Sequence, residues 1–280
     1  MILFTKMQGC GNDYVYINND IERIQDMSGF TKFVSSRNFC IGSDGCIFIF
    51  KDDNADVAFR IFNPDGSEAS MCGNGIRCVA KYVYEKDIVK KKRMTINTKS
   101  GIKNVELYVE DGVVKNVKVN MGVPIFSTKM LDIDYPKDVL INEPFDIEDA
   151  RLYLTCLYVG NIHTVLFVDN VNNIDIEKYG KSIENMSIFK DRTNVEFVEI
   201  IDRENIKVRV WERGVGETLA CGTGATASVI AGFLTGVTEN ICKVKLRGGE
   251  LEIVYNEMNN ELSMIGTAEF VYEGKLYTKW

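Results

Sequence analysis

This 280-residue sequence contains a single histidine, His163. One histidine excludes a multi-histidine metal site and limits histidine acid–base chemistry to one residue. Eight cysteines in 280 residues do not make a secreted disulfide scaffold, and the absence of C-x-x-C spacing argues against structural zinc. The sequence therefore predicts free thiols and no metal site.

Long apolar runs and extended basic tracts are absent as well. No segment is long and apolar enough to be predicted to span a membrane, and the N-terminus lacks the charged-then-apolar layout of a signal peptide. The net charge is −7, which makes nucleic acid and anionic membranes poor partners. We therefore expect a cytoplasmic protein that binds neither nucleic acid nor membrane.

The pattern Cys-Gly-x-Gly occurs twice, as Cys72-Gly73-Asn74-Gly75 and as Cys221-Gly222-Thr223-Gly224. Each opens an apolar run with helical periodicity, so each cysteine is predicted to lie at a helix N-terminus, where free N–H groups lower a thiol pKa. Glycines let a ligand carboxylate approach those N–H groups. One such cysteine is more often structural than catalytic, but two in the same setting favour a pair of reactive thiols.

A constant offset of 149 residues relates the two halves of the chain. It places Cys72 on Cys221, Glu68 on Glu217 and Gly45 on Asn194, which indicates a duplicated unit of about 120 residues, a common domain size. Consecutive strands with few helices predict an α+β fold. We expect two pseudo-symmetric domains, each a curled, mainly antiparallel sheet around a central helix, with the active site in the cleft between them. The predicted domains are 1–122, with a returning strand at 268–280, and 123–267.

Apolar periodicity predicts four helices, over 31–39, 74–85, 174–184 and 224–234. The last of these is apolar nearly all round, so it is predicted to be buried on every side. Residues 123–150 contain three of the four prolines and are predicted to connect the domains.

Two opposed thiols suit inversion at one carbon. A thiolate can take a proton from one face of a bound α-carbon while a thiol returns a proton to the other face. Helix N-termini can stabilise the intermediate anion, so no cofactor is required.

The chain resembles the diaminopimelate epimerase family, part of the cofactor-independent two-thiol racemase and epimerase superfamily. The resemblance rests on an ordered set of motifs over essentially the whole chain: Lys6–Asp13, Phe62–Glu68 with Cys72–Cys78, Gly160–His163, Thr193–Val195, and Trp211–Thr218 with Cys221–Gly224.

This resemblance implies epimerisation of LL-2,6-diaminoheptanedioate, a small-molecule amino acid, to its meso form for lysine and peptidoglycan synthesis. Cys72 and Cys221 would be the catalytic bases, and His163 and Glu212 would modulate their pKa values. The family is homodimeric, and Tyr272 matches a position at its dimer contact. The implied substrate-binding residues are Asn12, Asn63, Gly73, Asn74, Asn161, Asn194, Glu212, Arg213, Gly222 and Thr223.

Two positions depart from the family pattern. Ile162 stands where proline is usual, which is expected to loosen the loop that carries Asn161, and Gly45 stands where many members have a substrate-contacting glutamine. Two other functions therefore stay open: a cofactor-independent racemase of another amino acid, such as histidine or a thioether analogue of diaminopimelate, and a non-catalytic thiol redox or metal-binding protein. A lone histidine can also be a core residue, and Glu212 with Arg213 can be a surface ion pair.

Overall fold

The computed structural model describes residues 1–277, which form two compact units. The first unit contains Met1–Val119 and the segment from Ile265 onwards, and the second contains Asn120–Met264. The sequence-based boundaries place each junction three residues later. Residues 278–280 of the predicted returning strand lie outside the described residues.

The first unit is built mainly of strands. Its strands are β1 (Ile2–Gly9), β2 (Asn12–Asn18), β3 (Cys46–Phe50), β4 (Val57–Phe62), β5 (Glu68–Ala69), β6 (Arg93–Thr98), β7 (Gly101–Glu110), β8 (Val113–Gly122) and the late strand β18 (Glu269–Leu276). Its helices are α1 (Asn19–Glu22), α2 (Met27–Val34) and α3 (Gly73–Glu85). β18 pairs antiparallel with β1.

The second unit repeats this order. Its strands are β9 (Glu143–Ile147), β10 (Ala150–Val159), β11 (Asn161–Phe167), β12 (Asn194–Asp202), β13 (Asn205–Glu212), β14 (Gly216–Thr218), β15 (Ile241–Leu246), β16 (Gly249–Asn256) and β17 (Glu261–Gly266). Its helices are α4 (Ile176–Glu184) and α5 (Gly222–Leu234). β9 lies inside the segment 123–150 that we predicted as a connection, and it pairs with β10.

The strand pairing of one unit matches that of the other residue by residue. β2 runs parallel to β3 with Val15 opposite Cys46, and β11 runs parallel to β12 with Thr164 opposite Val195. Thr164 and Val195 each lie 149 residues after the equivalent residue of the first pair. The hairpins β3–β4 and β12–β13 are antiparallel in each unit. The predicted α+β class with a mainly antiparallel sheet is confirmed.

Each unit buries one helix of 13 residues against its sheet. α3 packs against β1, β2, β6 and β7, and α5 packs against β10 to β13, β15 and β16. The predicted all-round burial of α5 is confirmed from Gly224 to Gly232. α3 is equally buried although it carries Arg77 and Lys81, because carbonyl oxygens accept from both: Gly73 from Arg77 and Val114 from Lys81. No helix within residues 1–277 combines the length and apolarity that a bilayer crossing requires.

The helix predicted over 31–39 is wrong by about one turn, since α2 covers Met27–Val34. The N-cap of α2 is Asp26, whose carboxylate accepts a hydrogen bond from Gly29 N at 2.8 Å. Asp175 caps α4 in the same way. The two caps are 149 residues apart, so the repeat itself contained the signal that corrects the prediction.

Candidate active site

Cys72 is the N-cap residue of α3, as predicted, and its side chain is half-buried. Its Sγ accepts from Gly75 N at 3.3 Å and from the Tyr14 hydroxyl at 3.8 Å. It also donates to Asn12 Oδ1 at 3.3 Å. Donors stabilise a thiolate and an acceptor receives the proton of a thiol, so these contacts suit both protonation states.

The orientation of the Asn12 amide is set by Asp44. Asn12 Nδ2 donates to Asp44 Oδ2 at 2.9 Å, which turns Oδ1 towards Cys72. Asp44 is in turn paired with Arg37 at 2.7 Å. The sequence predicted Asn12 at the site but not the carboxylate that orients it.

Cys221 occupies the equivalent N-cap position of α5 and is only 8% exposed. Its Sγ accepts from Gly224 N at 3.4 Å and lies 3.2 Å from the Thr223 hydroxyl, which can donate or accept. In both helices the third N–H is bonded to the thiol sulfur. Helix geometry leaves the N–H groups of the first two residues without an intrahelical acceptor, so they are available to a ligand anion.

The prediction that both thiols are acidified is wrong for Cys221. Burial raises the pKa of the Cys221 thiol well above its ordinary value, and the charges of Glu212 and Glu196 raise it further. The hydrogen bonds from Thr223 and Gly224 only partly oppose this. This direction suits Cys221 to act as an acid.

Among residues 1–277 Glu212 forms no ion pair, and its charge is one of those that act on the Cys221 thiol. Its Oε1 accepts from the Thr218 hydroxyl at 2.5 Å. Burial raises the pKa of the Glu212 carboxyl, against the effect of Thr218. The neighbouring Arg213 is exposed, and its guanidinium donates to the carbonyl of Asp191 at 2.6 Å.

Asn194 holds the Arg213 backbone in place. Its Oδ1 accepts from Arg213 N at 2.9 Å, and its Nδ2 donates to the carbonyl of Ile162 at 3.3 Å. Asn194 is 5% exposed, so its amide connects three segments as a buried link rather than forming a simple turn.

His163 is fully buried on β11, and its partner was not predicted. Its Nδ1 lies 2.7 Å from Oε1 of Glu196, which is also fully buried. Glu196 follows the Thr193–Val195 motif directly in the sequence. A carboxylate within an apolar strand segment was the signal that could have revealed it.

The other predicted residues differ in setting. Asn74 is 3% exposed, and among residues 1–277 its Oδ1 has no hydrogen-bond partner. Asn63 is half-buried and donates to the Ser67 hydroxyl at 3.0 Å within its own turn. Asn161 is exposed at the start of β11, and Gly73 and Gly222 are buried first residues of their helices.

The structure explains one departure from the family pattern. Gly45 has φ +144°, and a Cβ there would lie 2.1 Å from the carbonyl oxygen of Phe62. A glutamine therefore does not fit on this backbone. Ile162 lies opposite Tyr158 in the β10–β11 pair, and the predicted loosening of its loop stays a prediction.

Tyr272, the predicted dimer contact, lies on β18 and is 45% exposed. Its ring makes an edge contact with Phe4, with ring centroids 5.9 Å apart. Within residues 1–277, no group of three or more His, Cys, Asp or Glu side chains is arranged to hold a metal ion.

Solved structures share this fold at low sequence identity. A phenazine biosynthesis protein of the PhzF family from Bacillus anthracis superposes with a TM-score of 0.71 at 17% identity, over 99% of each chain. A probable proline racemase from Agrobacterium radiobacter superposes with a TM-score of 0.70 at 15% identity, over 100% of this chain and 94% of that one. The chain therefore has the two-unit fold found in a probable racemase.

Sequence comparison is more specific. The family model described as diaminopimelate epimerase matches residues 4–127 and 155–271. Diaminopimelate epimerases from Acetivibrio thermocellus and Brachyspira hyodysenteriae are 48% and 47% identical to the chain, each over 98% of both sequences. The chain belongs to the diaminopimelate epimerase family and is an epimerase, an enzyme of the isomerase class.

Proposed function

We propose that this enzyme interconverts LL- and meso-2,6-diaminoheptanedioate with Cys72 and Cys221 as its two bases. The observation that carries the proposal is the matched placement of the two cysteines. Each caps a buried helix of the same length, and each sulfur accepts from the third helical N–H. The high identity to named diaminopimelate epimerases supports this choice of substrate.

In the proposed reaction one cysteine is a thiolate and the other a thiol. The thiolate removes the proton from the α-carbon, and the N–H groups that begin one helix stabilise the charge that builds on the adjacent carboxylate. The thiol then delivers its proton to the opposite face. The raised pKa of Cys221 supports the thiol role for that residue in the resting enzyme.

Substrate binding is part of the same proposal. The amides of Asn12, Asn63, Asn161 and Asn194 would supply uncharged donors and acceptors, and Arg213 would pair with the distal carboxylate. The backbone N–H groups of Gly73, Asn74, Gly222 and Thr223, the first two residues of each helix, would hold the carboxylate at the reacting carbon. Glu212 and His163 would set the charge around Cys221.

Hydrogen exchange tests the substrate and the chemistry together. Reduced enzyme incubated with LL-diaminopimelate in deuterated water should give meso product with deuterium at one α-carbon, measured by mass spectrometry and NMR, without added cofactor. Histidine and a thioether analogue of diaminopimelate are the comparison substrates. Absence of both exchange and inversion with diaminopimelate would reject the proposal, and a faster reaction of a comparison substrate would reassign it.

The two cysteines are tested by serine substitution. A hydroxyl is much harder to ionise than a thiol, so Cys72→Ser and Cys221→Ser should each slow inversion by about 10²–10⁴-fold. Cys242→Ser is the matched control, because Cys242 is a buried cysteine on strand β15 and caps no helix. Wild-type inversion by either active-site variant would disprove the two-thiol mechanism.

We further propose a cytoplasmic homodimer that serves lysine and peptidoglycan synthesis. Exposed apolar side chains on β1 and β18, namely Leu3, Val271 and Tyr272, support a protein contact there. Sedimentation velocity should give a dimer, and Tyr272→Asp should weaken it. A monomer at assay concentration would contradict the proposed dimer. Recovery of the native enzyme outside the cytoplasmic fraction would contradict the proposed location.

A further inference from the structure

The internal repeat shows that Glu196 is not required by the fold. With the offset of 149 residues, Glu196 is equivalent to Ile47 and His163 to Tyr14. All four side chains are buried, so one sheet position holds an apolar residue in the first unit and a carboxylate in the second. A buried charge is costly where an aliphatic side chain suffices. Glu196 must therefore be explained by its local contacts.

Glu196 lies against the first turn of α5, the turn that Cys221 caps. A Cβ on Gly224 would lie 2.6 Å from Glu196 Oε1, and Gly224 N is the group that donates to Cys221 Sγ. In the first unit a Cβ on Gly75 would meet the tip of Ile47 instead. The absent side chain at Gly224 thus makes room for the carboxylate next to the thiol.

The hydrogen bond to His163 constrains its tautomer. If the Glu196 carboxylate is the acceptor of the 2.7 Å contact, the proton between the two groups lies on Nδ1 of His163. The other ring nitrogen, Nε2, is buried and has no hydrogen-bond partner within residues 1–277. The arrangement parallels the acid that orients the histidine of hydrolase triads.

We propose that Glu196 is a positioning residue of the Cys221 half-site, which fixes His163 in the Nδ1-protonated tautomer and leaves Nε2 as the hydrogen-bond acceptor of the ring. The contribution to epimerisation rests on the proposed function, whereas the tautomer does not. Glu196 touches neither the substrate nor the reacting carbon in this proposal. It acts through the imidazole of His163.

The single histidine makes the tautomer directly measurable. In protein labelled with ¹⁵N-histidine and free of any histidine tag, the long-range ¹H–¹⁵N spectrum contains one imidazole. The wild type should show a protonated Nδ1. In Glu196→Gln the amide oxygen can still accept from Nδ1 and should keep this tautomer, whereas Glu196→Ile, which installs the residue of the first unit, should lose it.

Kinetics separate positioning from a structural role. Glu196→Ile should lower kcat about 10- to 100-fold with KM changed less than about threefold, and Glu196→Gln should recover most of that loss. Glu199→Gln, on the same strand with its carboxylate bonded to Val171 N, should leave both unchanged. Equal losses in the Gln and Ile variants, or an Ile variant with wild-type kcat, would overturn the proposal.

The wild-type spectrum decides the question even if Glu196→Ile does not fold. An Nε2-protonated imidazole in active wild-type enzyme would overturn the role of Glu196 and leave the proposed function intact. A wild type without epimerase activity but with Nδ1 protonated would remove the proposed function and leave the tautomer assignment standing.

Discussion

Alanine substitutions at two equivalent glycines should have unequal effects. Gly75 and Gly224 are both the third residue of their buried helix, and both N–H groups donate to the thiol sulfur. An added Cβ at Gly75 would meet Cδ1 of Ile47 at 2.8 Å, the far end of a flexible side chain. An added Cβ at Gly224 would meet Oε1 of Glu196 at 2.6 Å.

The expected magnitudes follow from these neighbours. In either helix alanine gains about 1 kcal/mol over glycine. At Gly75, rotation of Ile47 should relieve the contact and keep the net change within about 1 kcal/mol. At Gly224, overpacking costs about 1–3 kcal/mol and a broken charged hydrogen bond to His163 about 1.5–3 kcal/mol. The net destabilisation of Gly224→Ala should be about 1.5–5 kcal/mol.

Urea unfolding followed by circular dichroism measures the difference, and deuterium exchange at the substrate α-carbon gives the activity. Gly75→Ala should stay within about tenfold of wild type, whereas displacement of the pair beside Cys221 should cost Gly224→Ala about 100-fold. Adding Glu196→Ala to Gly224→Ala should relieve the overpacking but restore neither the hydrogen bond to His163 nor the activity. Equal urea midpoints for the two alanine variants would show that the two glycine sites tolerate a Cβ equally, contrary to this prediction.

Two further predictions concern the second unit. Because burial, and then Glu212 and Glu196, raise the pKa of Cys221, iodoacetamide labelling of Cys221 in a Cys72→Ala background should still increase with pH above the ordinary thiol range. Glu212→Gln removes a like charge and should move that profile to lower pH; an unchanged profile contradicts the assignment. Glu184 accepts from Gly214 N at 2.9 Å and from the Trp211 indole at 2.7 Å. Glu184→Ala should therefore loosen the loop after Glu212, raise KM more than kcat falls, and destabilise by about 2–4 kcal/mol; an unchanged KM would show that the loop does not need this anchor.

Local sequence signals were enough wherever the structure depends on local chemistry. A Cys-Gly-x-Gly motif before an apolar run predicted where each helix begins. Both N-caps lie at the predicted cysteines. The error at α2 came from apolar spacing read without its N-cap, Asp26, which the equivalent Asp175 marks one repeat later. Strands as short as β5 and β14 cannot be predicted from apolar alternation, because two or three residues carry no periodicity.

The duplication, the two thiols and the family motifs were predictable from the sequence, because each is a pattern of residue types at fixed spacing. The differences between the two half-sites became clear only in the folded protein. Burial reverses the expected acidity of Cys221, Asp44 orients Asn12 at Cys72, and Glu196 pairs with His163. These effects depend on dielectric and on contacts between residues about 30 or more positions apart, which spacing along the chain does not encode.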